Sequence, residues 1–481
     1  MFTKNQTVTL TIDDISSDGN GVGKVDGFAV FVPFTAKGDT IRCRIVKVNR
    51  TFAFGIVEEL LSPSPDRIAT DCPVFTKCGG CAFRHLRYEA ECEAKQKWVQ
   101  DCLQRIGGFS IEVLPIVPSV RQDGYRNKAQ YPVCKNPDGT LAIGFYAKRS
   151  HRVISCADCK LQPPIFREIV EAIQIFVTRN GISIYDEESH SGLLRHIFLR
   201  IAEATGQIMV CLVINGKDFP HKSQLVDCLR ALSSQIVSIV LNFNLKQTNV
   251  ILGPKCLTIY GSDLIADQLC DMTFQLSPLS FYQVNRTSTE KLYAIAREFA
   301  ALTGDETVLD LYCGTGTIGL SAAAHLKRLI GVEIVPEAVE NSQANAAANG
   351  IEHAEFYCAD ASQAVVRLAE QGVSPDVIFV DPPRKGCDPE VLEAISQLSP
   401  SRVVMVSCNP ATLARDCRAL ADKGYILQKA APVDMFPRVA HVETVVLLSK
   451  GETDSKKVRV EFSLEDMDMS EFQNDATYGQ I

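Results

Sequence analysis

The sequence has no hydrophobic run of the length that a membrane-spanning helix requires. Its apolar stretches, such as IVSIVL at 236–241, are far shorter than the roughly 20 residues of a spanning helix. The first residues, MFTKNQTVTL, lack the basic and then apolar profile of a secretory signal, and the chain contains no internal repeat. These absences argue against an integral membrane protein and against secretion. We therefore expect a cytoplasmic, monomeric protein with no membrane partner.

The chain also lacks an overall positive charge, which weighs against a polyanionic partner. Its net charge of −8 is unevenly distributed, however. Residues 451–481 form an acidic tail with eight acids and three bases, whereas residues 121–152 hold seven bases and two acids. An RNA contact through the basic stretch is therefore permitted, although an ordinary solvated surface has the same composition.

Cysteine, in contrast, is abundant, with 18 residues. In a chain without a secretory signal we expect reduced thiols, available for metal binding or catalysis rather than for disulfides. In CPVFTKCGGC, Cys72, Cys78 and Cys81 have the spacing C-x5-C-x2-C. Thiolates this close together suit a soft metal, either an iron–sulfur cluster or zinc. Cys156 and Cys159 are candidates for a fourth ligand, and a cysteine-rich loop without metal is the alternative.

Length and pattern together predict a mixed α/β protein built from several parts. A chain of 481 residues is too long for one ordinary core. Short alternating strands broken by glycines predict a small β-barrel of the oligonucleotide-binding kind at residues 1–61. We assign a central α+β domain to 62–286. Alternating strands and helices predict a Rossmann-like, doubly wound domain at 287–450, and the acidic tail follows at 451–481.

Individual elements can also be predicted. Apolar strands of the C-terminal domain are expected at 307–311, 328–333, 376–380, 402–407 and 442–448. In the central domain, LLRHIFLRIAEATGQIMVCLVING predicts two strands joined at EATGQ, and IVSIVLNFNLKQTNVILG predicts a further hairpin. The segment SPSPDR at 62–67 is predicted to be a linker.

A glycine-rich turn marks a candidate cofactor site. TVLDLYCGTGTIGL reads as strand, turn and helix, with Gly314, Gly316 and Gly319 in the pattern G-x-G-x-x-G. Asp310 precedes the first glycine by four residues, where a carboxylate would crowd a pyrophosphate but suits a cationic amino-acid ligand. Glu333 ends the next strand and can accept hydrogen bonds from ribose hydroxyls. These two acids favour S-adenosylmethionine over a nicotinamide cofactor, and a turn kept for packing alone is the third interpretation.

Further polar residues fall at predicted strand ends. Asp381 follows a buried strand in VIFVDPPRKG, Cys408 follows the next strand in VVMVSCNPATLARD, and Glu443 begins the last strand. Ligands of open α/β sheets bind at the carboxyl ends of the strands, so these residues are expected near Asp310 and Glu333.

One reaction requires this combination of groups. Uracil C5 is too weak a nucleophile to accept a methyl group unless a thiolate first adds at C6, and a base must then remove the C5 proton. Cys408, just before a predicted helix whose N-terminus favours a thiolate, suits the first role. Glu443 suits the second. Taken singly, each residue is more often structural.

Five ordered motifs, FYQVN, DLYCGTGTIGL, DPPRKG, SCNPATLARD and HVETVVLL, resemble those of the RNA uracil-5-methyltransferase family. The resemblance implies that Cys408 is the nucleophile and Glu443 the proton acceptor. It also implies a set of cofactor contacts, which together with the glycine turn comprises Gln283, Tyr312, Glu333, Asp381, Asp310, Gly314 and Asp360.

The resemblance extends to the cysteines and to the barrel. Family members with C-x5-C-x2-C and one distant cysteine hold a 4Fe–4S cluster, which implies Cys72, Cys78, Cys81 and, rather than Cys156, Cys159 as ligands. Radical chemistry on such a cluster is disfavoured, because its usual spacing differs and a separate cofactor site would be redundant. The barrel resembles a TRAM domain.

These features predict S-adenosylmethionine-dependent methylation of uridine C5 in RNA through a covalent cysteine–C6 adduct. Barrel and cluster together resemble the family members that act on large-subunit (23S) ribosomal RNA. Transfer RNA is the second candidate substrate, because the tRNA-specific branch is expected to lack both additions. A nicotinamide-dependent oxidoreductase and a non-catalytic RNA-binding protein are the alternatives from other classes.

Overall fold

The computed structural model describes residues 2–451, so that the predicted acidic tail, apart from Gly451, lies outside the described residues. The N-terminal part is a closed five-stranded barrel with the strand order β1-β2-β3-β5-β4. Its strands are β1 (Thr7–Ile15), β2 (Asn20–Val25), β3 (Phe28–Pro33), β4 (Thr40–Val48) and β5 (Phe52–Ser62). Inward and outward residues alternate, as expected for a barrel wall. Gly55 is required in β5, because a Cβ atom there would lie 2.1 Å from Cys43 Sγ.

The predicted linker at 62–67 is fastened to the barrel. The buried carboxylate of Asp39 accepts hydrogen bonds from the Ala36 N–H (2.6 Å) and the Ser64 N–H (2.9 Å), and it pairs with Arg67. Burial raises the pKa of Asp39, but the Arg67 guanidinium and the two backbone donors outweigh it and hold the pKa below its usual value. The chain therefore leaves the barrel in a fixed direction.

The central part contains a seven-stranded sheet of order β12-β11-β10-β9-β6-β7-β8 and a separate hairpin. Its strands are β6 (Lys128–Lys135), β7 (Leu141–Tyr146), β8 (Val153–Ser155), β9 (Leu194–Ile201), β10 (Ile208–Ile214), β11 (Ile236–Phe243), β12 (Lys255–Gly261) and the hairpin β13 (Ile265–Leu269) and β14 (Met272–Leu276). Its helices are α1 (Tyr88–Arg105), α2 (Pro164–Arg179) and α3 (Lys222–Leu232). Apolar faces of α2 and α3 pack on the sheet in one hydrophobic cluster.

Of the two hairpins predicted here, one is observed and one differs. Strands β9 and β10 pair antiparallel around EATGQ, as expected. The partner of β11 begins only at Lys255, because the side chains of Asn242 and Asn244 bind backbone carbonyls of the intervening loop, at Gly253 (2.7 Å) and Val250 (2.6 Å). Side-chain hydrogen bonds of this kind compete with strand pairing.

The C-terminal part is the predicted doubly wound sheet, of order β17-β16-β15-β18-β19-β21-β20. Its strands are β15 (Thr307–Leu311), β16 (Arg328–Glu333), β17 (Ala354–Cys358), β18 (Val377–Val380), β19 (Arg402–Ser407), β20 (Tyr425–Val433) and β21 (Glu443–Lys450). Its helices are α4 (Arg286–Ala300), α5 (Thr317–Ala322), α6 (Pro336–Ala348), α7 (Ala361–Glu370), α8 (Pro389–Leu398) and α9 (Pro410–Ala421), with a 3-10 turn at Ala323–His325. The first five strands in this order are parallel, and β21 runs antiparallel to both of its neighbours, β19 and β20.

Both faces of this sheet are covered. Successive residues of one strand, such as Val308 and Leu309, belong to two different hydrophobic clusters, one on each face. Strands buried on both faces read as continuous apolar runs, which explains why their positions were predictable. No helix within residues 2–451 is long and apolar enough to cross a membrane.

A buried ionic network joins α1 to the segment between β20 and β21. The Lys95 ammonium is fully buried and donates to Glu91 Oε1 (2.7 Å), Asp434 Oδ1 (2.7 Å) and the Phe436 carbonyl (3.0 Å). Tyr88 Oη donates to the other oxygen of Asp434 at 2.7 Å. An ammonium with three acceptors replaces most of its lost hydration. Removing it leaves buried Asp434 without a cation and Glu91 with only the Arg438 guanidinium at 3.5 Å.

We expect Lys95→Met to lower the free energy of unfolding by about 3–5 kcal/mol, because it leaves an uncompensated buried charge. The matched control is Lys97→Met, two residues away on the same helix. Lys97 pairs with Asp14 and Asp101 at the surface, so its loss should cost less than about 1 kcal/mol. Urea unfolding of both variants measures the difference, and equal midpoints would contradict a structural role for the network.

Candidate functional site

Five neighbouring strands end in polar residues at one edge of the C-terminal sheet. In sheet order these are Glu333 of β16, Asp310 of β15, Asp381 after β18, Cys408 after β19 and Glu443 of β21. Because β21 runs antiparallel to β19, its first residue lies at the edge where the parallel strands finish. Ser407 pairs with Thr444, and the next position of this register puts Cys408 opposite Glu443.

The glycine turn is fixed by Asp310. One carboxylate oxygen, Oδ2, accepts a hydrogen bond from the Gly319 N–H at 2.9 Å, while Oδ1 is buried without a hydrogen-bond partner in the described chain. A Cβ atom at position 319 would lie 2.8 Å from Oδ2, so glycine is required there. Tyr312 (φ 62°) adopts the left-handed conformation, which is unusual for a side chain other than glycine and is typical of functional sites.

Two further acids at this edge are held by backbone donors. Glu333 Oε2 accepts from the Gly314 N–H (3.1 Å), and Oε1 accepts from the two residues that follow Glu333. Asp360 caps the N-terminus of α7 and accepts hydrogen bonds from Ser362 Oγ (2.6 Å) and the Ser362 N–H (3.0 Å). The Ser362 hydroxyl is the main reason that the pKa of Asp360 lies below its ordinary value. Both acids are therefore oriented by the chain itself.

The segment that contains Gln283 is positioned by two residues that sequence reasoning missed. Arg200 is buried and donates to the carbonyls of Ser277 (2.6 Å) and Ser280 (2.7 Å). Asn127 Nδ2 donates to the Gln283 carbonyl at 2.8 Å. Nothing in the sequence signals these contacts, since Arg200 lies in a strand whose neighbours are apolar.

Cys408 is presented by a rigid turn. Asn409 caps α9 by accepting from the Ala411 N–H (3.1 Å), and its amide donates to the Arg384 carbonyl (3.1 Å). Burial raises the pKa of the Cys408 thiol to about 11, the negative charge of Glu443 adds to this, and the Arg384 guanidinium opposes it. The N-terminus of α9 was expected to favour the thiolate, but burial outweighs any such effect.

Three carboxyl groups at this edge have pKa values that burial raises towards neutral pH. Burial raises the pKa of Glu443 to about 8, with Asp381 contributing and Arg384 opposing. Burial likewise raises the pKa of Asp381 and of Asp310 to about 7. Groups with pKa values near the working pH are suited to accept and return protons. Arg384, within the DPPRKG motif, is thus a further candidate site residue that motif reading alone had not singled out.

A cleft of about 590 Å³ opens beside Cys408. Its walls come from all three parts of the chain, and they include Asp18, Gly19 and Phe34 of the barrel, Cys78, Cys81, Lys148 and Arg149 of the central part, and Arg384, Cys408, Asn409 and His441 of the C-terminal part. Since Lys148 and Arg149 belong to the basic stretch at 121–152, the cleft brings cationic side chains to the thiol.

The predicted metal-binding cysteines converge. Burial raises the pKa of Cys81 to about 12, and the thiols of Cys159, Cys78 and Cys72 contribute to the rise. Cys156 donates to Cys159, which lowers the Cys159 pKa to about 7. Within residues 2–451, nevertheless, no three His, Cys, Asp or Glu side chains are arranged to hold a metal ion. The thiols are thus neighbours without the spacing of a single-ion site.

Gly79, within the CGGC segment, lies where this segment comes close to the backbone at the end of β7. Its N–H donates to the Tyr146 carbonyl at 2.9 Å, and a Cβ atom there would lie 2.9 Å from the Lys148 nitrogen. The cysteine segment therefore rests directly on the end of β7.

Comparisons with known proteins agree with this architecture. The model of the tRNA (uracil-5-)-methyltransferase family matches residues 87–451, and the TRAM domain model matches residues 2–57. An uncharacterized RNA methyltransferase of Halalkalibacterium halodurans is 46% identical over 446 residues, covering 92% of this chain and 97% of the relative. One from Clostridium acetobutylicum is 43% identical over 450 residues, covering 93% and 98%.

The crystal structure of Pyrococcus abyssi tRNA (uracil-54, C5)-methyltransferase in complex with S-adenosyl-L-homocysteine superposes with a TM-score of 0.74. It is 28% identical and covers 92% of this chain and 100% of that chain. The predicted fold class and the predicted enzyme class are therefore confirmed. The chain belongs to the family of S-adenosylmethionine-dependent RNA (uracil-5-)-methyltransferases and carries an N-terminal TRAM domain.

Proposed function

We propose that this protein methylates uridine C5 in large-subunit ribosomal RNA, with Cys408 as nucleophile and Glu443 as proton acceptor. The observation that carries the proposal is the pairing of β19 with β21. Their register, continued by one position beyond Ser407 and Thr444, sets Cys408 of the cleft wall opposite Glu443. We further propose that the enzyme is a cytoplasmic monomer. All 18 cysteines are free thiols, as expected in a reducing compartment.

The proposed reaction follows from the chemistry of these two residues. The Cys408 sulfur adds to C6 of uracil, and the displaced electron pair makes C5 nucleophilic. S-adenosylmethionine, when bound, supplies the methyl group that C5 accepts. Glu443 then removes the C5 proton, and elimination of the thiolate restores the C5–C6 double bond. Arg384 assists the first step because its positive charge favours the thiolate over the thiol.

We propose seven cofactor contacts at the glycine turn and at the strand ends beside it. They are Gln283, Tyr312, Glu333, Asp381, Asp310, Gly314 and Asp360. The buried Asp310 Oδ1, which lacks a partner in the described chain, supports the presence of a ligand here. The backbone contacts of Glu333 support its role as a preformed acceptor for ribose hydroxyls.

Transfer RNA is the second candidate substrate, and one observation favours it. The Pyrococcus neighbour is a tRNA enzyme, and the part of this chain that its structure leaves uncovered is shorter than the barrel. A barrel region is therefore compatible with a tRNA substrate, contrary to the expectation that the tRNA-specific branch lacks it. The proposal of ribosomal RNA as substrate then rests on the resemblance of the cysteine segment to that of family members that act on ribosomal RNA.

We also propose that Cys72, Cys78, Cys81 and Cys159 hold a 4Fe–4S cluster. Four ligands of one zinc ion, at about 2.3 Å each, lie about 3.8 Å from one another. Thiols on the four irons of a cluster stand farther apart, and the effect of Cys159, Cys78 and Cys72 on the pKa of Cys81 supports four thiols in one place. Cys159 raises the pKa of both Cys78 and Cys81, and the pKa of Cys156 is raised in turn by Cys72 and Cys78, so both lie beside the segment. The choice of Cys159 over Cys156 rests on the resemblance.

The central test is methyl transfer from labelled cofactor into ribosomal RNA and transfer RNA, with the modified base then mapped. Wild-type enzyme should label uridine C5 in the ribosomal RNA.

Cys408→Ala should abolish methyl transfer and the protein–RNA adduct seen on denaturing gels. Cys358→Ala, an exposed-thiol control, should leave both unchanged. Glu443→Gln should slow turnover by about 10²–10⁴-fold and accumulate the adduct. Normal labelling by Cys408→Ala would refute the nucleophile, and labelling of tRNA alone would assign the second substrate.

Charge substitutions around Cys408 should move its pKa in opposite directions. Glu443→Gln removes a negative charge that disfavours the thiolate, so the pKa should fall below the value of about 11. Arg384→Gln removes a positive charge and should raise it. Both pKa shifts can be measured from the rate at which iodoacetamide alkylates Cys408. Mass spectrometry of the peptide that contains Cys408 gives this rate at a series of pH values. Shifts of the same sign would disprove the proposed electrostatic arrangement.

Iron and acid-labile sulfide analysis of anaerobically purified protein tests the cluster. We expect about four irons per chain, visible absorbance, and loss of both in Cys81→Ser. Cys156→Ser should retain them, since Cys156 is not among the proposed ligands. One zinc per chain without sulfide, or retention of iron in Cys81→Ser, would reject the assignment.

A further inference from the structure

A second groove, here called the outer groove, lies on the central domain. Its volume is about 690 Å³. Its walls are formed by β6, β7, the start of β8, the loop before β9 and β9 itself, and they include Lys135, Tyr146, Ser150, His151, Arg152, Tyr185, Asp186, Glu187, Glu188, Arg195 and His196. None of these residues lines the catalytic cleft, so the outer groove is a separate site.

One short turn separates the outer groove from the catalytic cleft. The β7–β8 turn comprises residues 147–152, and residues 148–152 are exposed. Lys148 and Arg149 line the catalytic cleft, whereas His151 and Arg152 line the outer groove. A single RNA strand with its target uridine at Cys408 can therefore continue over this turn, where cationic side chains suit its phosphates.

The charges inside the outer groove are balanced. Three carboxylates, Asp186, Glu187 and Glu188, face three cations, Lys135, Arg152 and Arg195. A phosphate pocket would be predominantly cationic, so this composition suits an uncharged ligand with both donors and acceptors. An unpaired nucleobase is such a ligand, and single-stranded bases are what proteins read most often in RNA.

Glu187 is held with its carboxylate available at the wall. Tyr146 Oη donates to Oε1 at 3.3 Å, and His151 Nδ1 lies 2.9 Å from Oε2. A carboxylate that keeps free lone pairs accepts hydrogen bonds from the amino group of cytosine, adenine or guanine. Uracil has no amino group, and its one donor on this edge, N3–H, stands between two carbonyl oxygens that a carboxylate repels.

His196 supplies an unsatisfied polar atom at the same wall. The side chain is 6% exposed, its Nδ1 has no hydrogen-bond partner in the described chain, and its Nε2 lies 3.5 Å from Tyr146 Oη. Burial lowers the pKa of His196 to about 4, so the neutral ring offers one donor and one acceptor. A buried polar atom without a partner needs a ligand or water to satisfy it.

We propose that the outer groove binds an unpaired, amino-bearing base of the same RNA strand whose uridine enters the catalytic cleft, with Glu187 and His196 reading its edge. The inference rests on the proposed function, since it takes the strand at Cys408 to be the substrate. The β7–β8 turn then binds the connecting phosphates, and the enzyme distinguishes its substrate by a base other than the one it modifies.

The test compares Glu187→Gln with Glu168→Gln, an exposed carboxylate on helix α2 outside the groove. The full chain is titrated into fluorescent poly-A, poly-C and poly-U RNAs of about 12 nucleotides, and anisotropy gives each Kd. Glu187→Gln should weaken binding of poly-A and poly-C by about tenfold, as expected for a lost charge-assisted hydrogen bond, and leave poly-U within about twofold. Glu168→Gln should change none of them, and Arg152→Ala should weaken all three alike.

An unchanged ratio of poly-A to poly-U affinity in Glu187→Gln would overturn the inference. Methyl transfer by the wild-type enzyme separates this failure from that of the proposed function. If wild-type protein methylates RNA while Glu187→Gln keeps wild-type base preference, only the outer groove assignment fails. If wild-type protein methylates no RNA, the proposed function fails.

Discussion

The buried ammonium of Lys95 is the interaction on which the positions of the other parts depend. It holds Glu91 of α1 and Asp434 of the segment that leads into β21. Glu91 also accepts a hydrogen bond from the Arg438 N–H, and the Arg438 carbonyl accepts one from the Ala82 N–H, directly after the cysteine segment. Helix α1, the cysteine segment and the approach to Glu443 therefore meet at one point. A buried ion pair adds little net stability, but here it fixes three elements relative to one another.

The same desolvation that fixes these groups also prepares the chemistry at the strand ends. Asp310, Asp381 and Glu443 each lie where burial raises the carboxyl pKa towards neutrality. Burial also raises the pKa of the Cys408 thiol, so formation of the thiolate depends on nearby charge. Glu443 opposes the thiolate, and Arg384 favours it. An uncharged Glu443 thus makes the thiol easier to ionise, whereas an ionised Glu443 is the form able to accept a proton. In the proposed reaction the two residues therefore serve opposite halves.

Sequence pattern predicted what depends on hydrophobic periodicity and motif order. The strands expected at 307–311, 328–333 and 402–407 are observed with those bounds, because each is a continuous apolar run between covered faces. Strands β17 and β20, at the two edges of the sheet, were not predicted. In β17 four of the five residues are at least partly exposed, so the strand lacks a continuous apolar run. Lys95 and Arg200 were not predictable as buried residues, because only tertiary contacts reveal the acceptors that make burial of a cation tolerable. The candidate residues of the site came from motifs, but their adjacency depends on the antiparallel direction of β21, which no local pattern defines.

The cysteine segment is best understood through what it supports. Cys78 and Cys81 line the same cleft as Cys408, and Gly79 between them donates to the carbonyl of Tyr146 at the end of β7. The β7–β8 turn follows at once, and it forms one wall of the catalytic cleft and one wall of the outer groove. Any group that ties these thiols together therefore also fixes the β7–β8 turn. In the proposed mechanism such a group would act through the position of the RNA, because the two proposed reacting residues, Cys408 and Glu443, lie on the separate framework of β19 and β21.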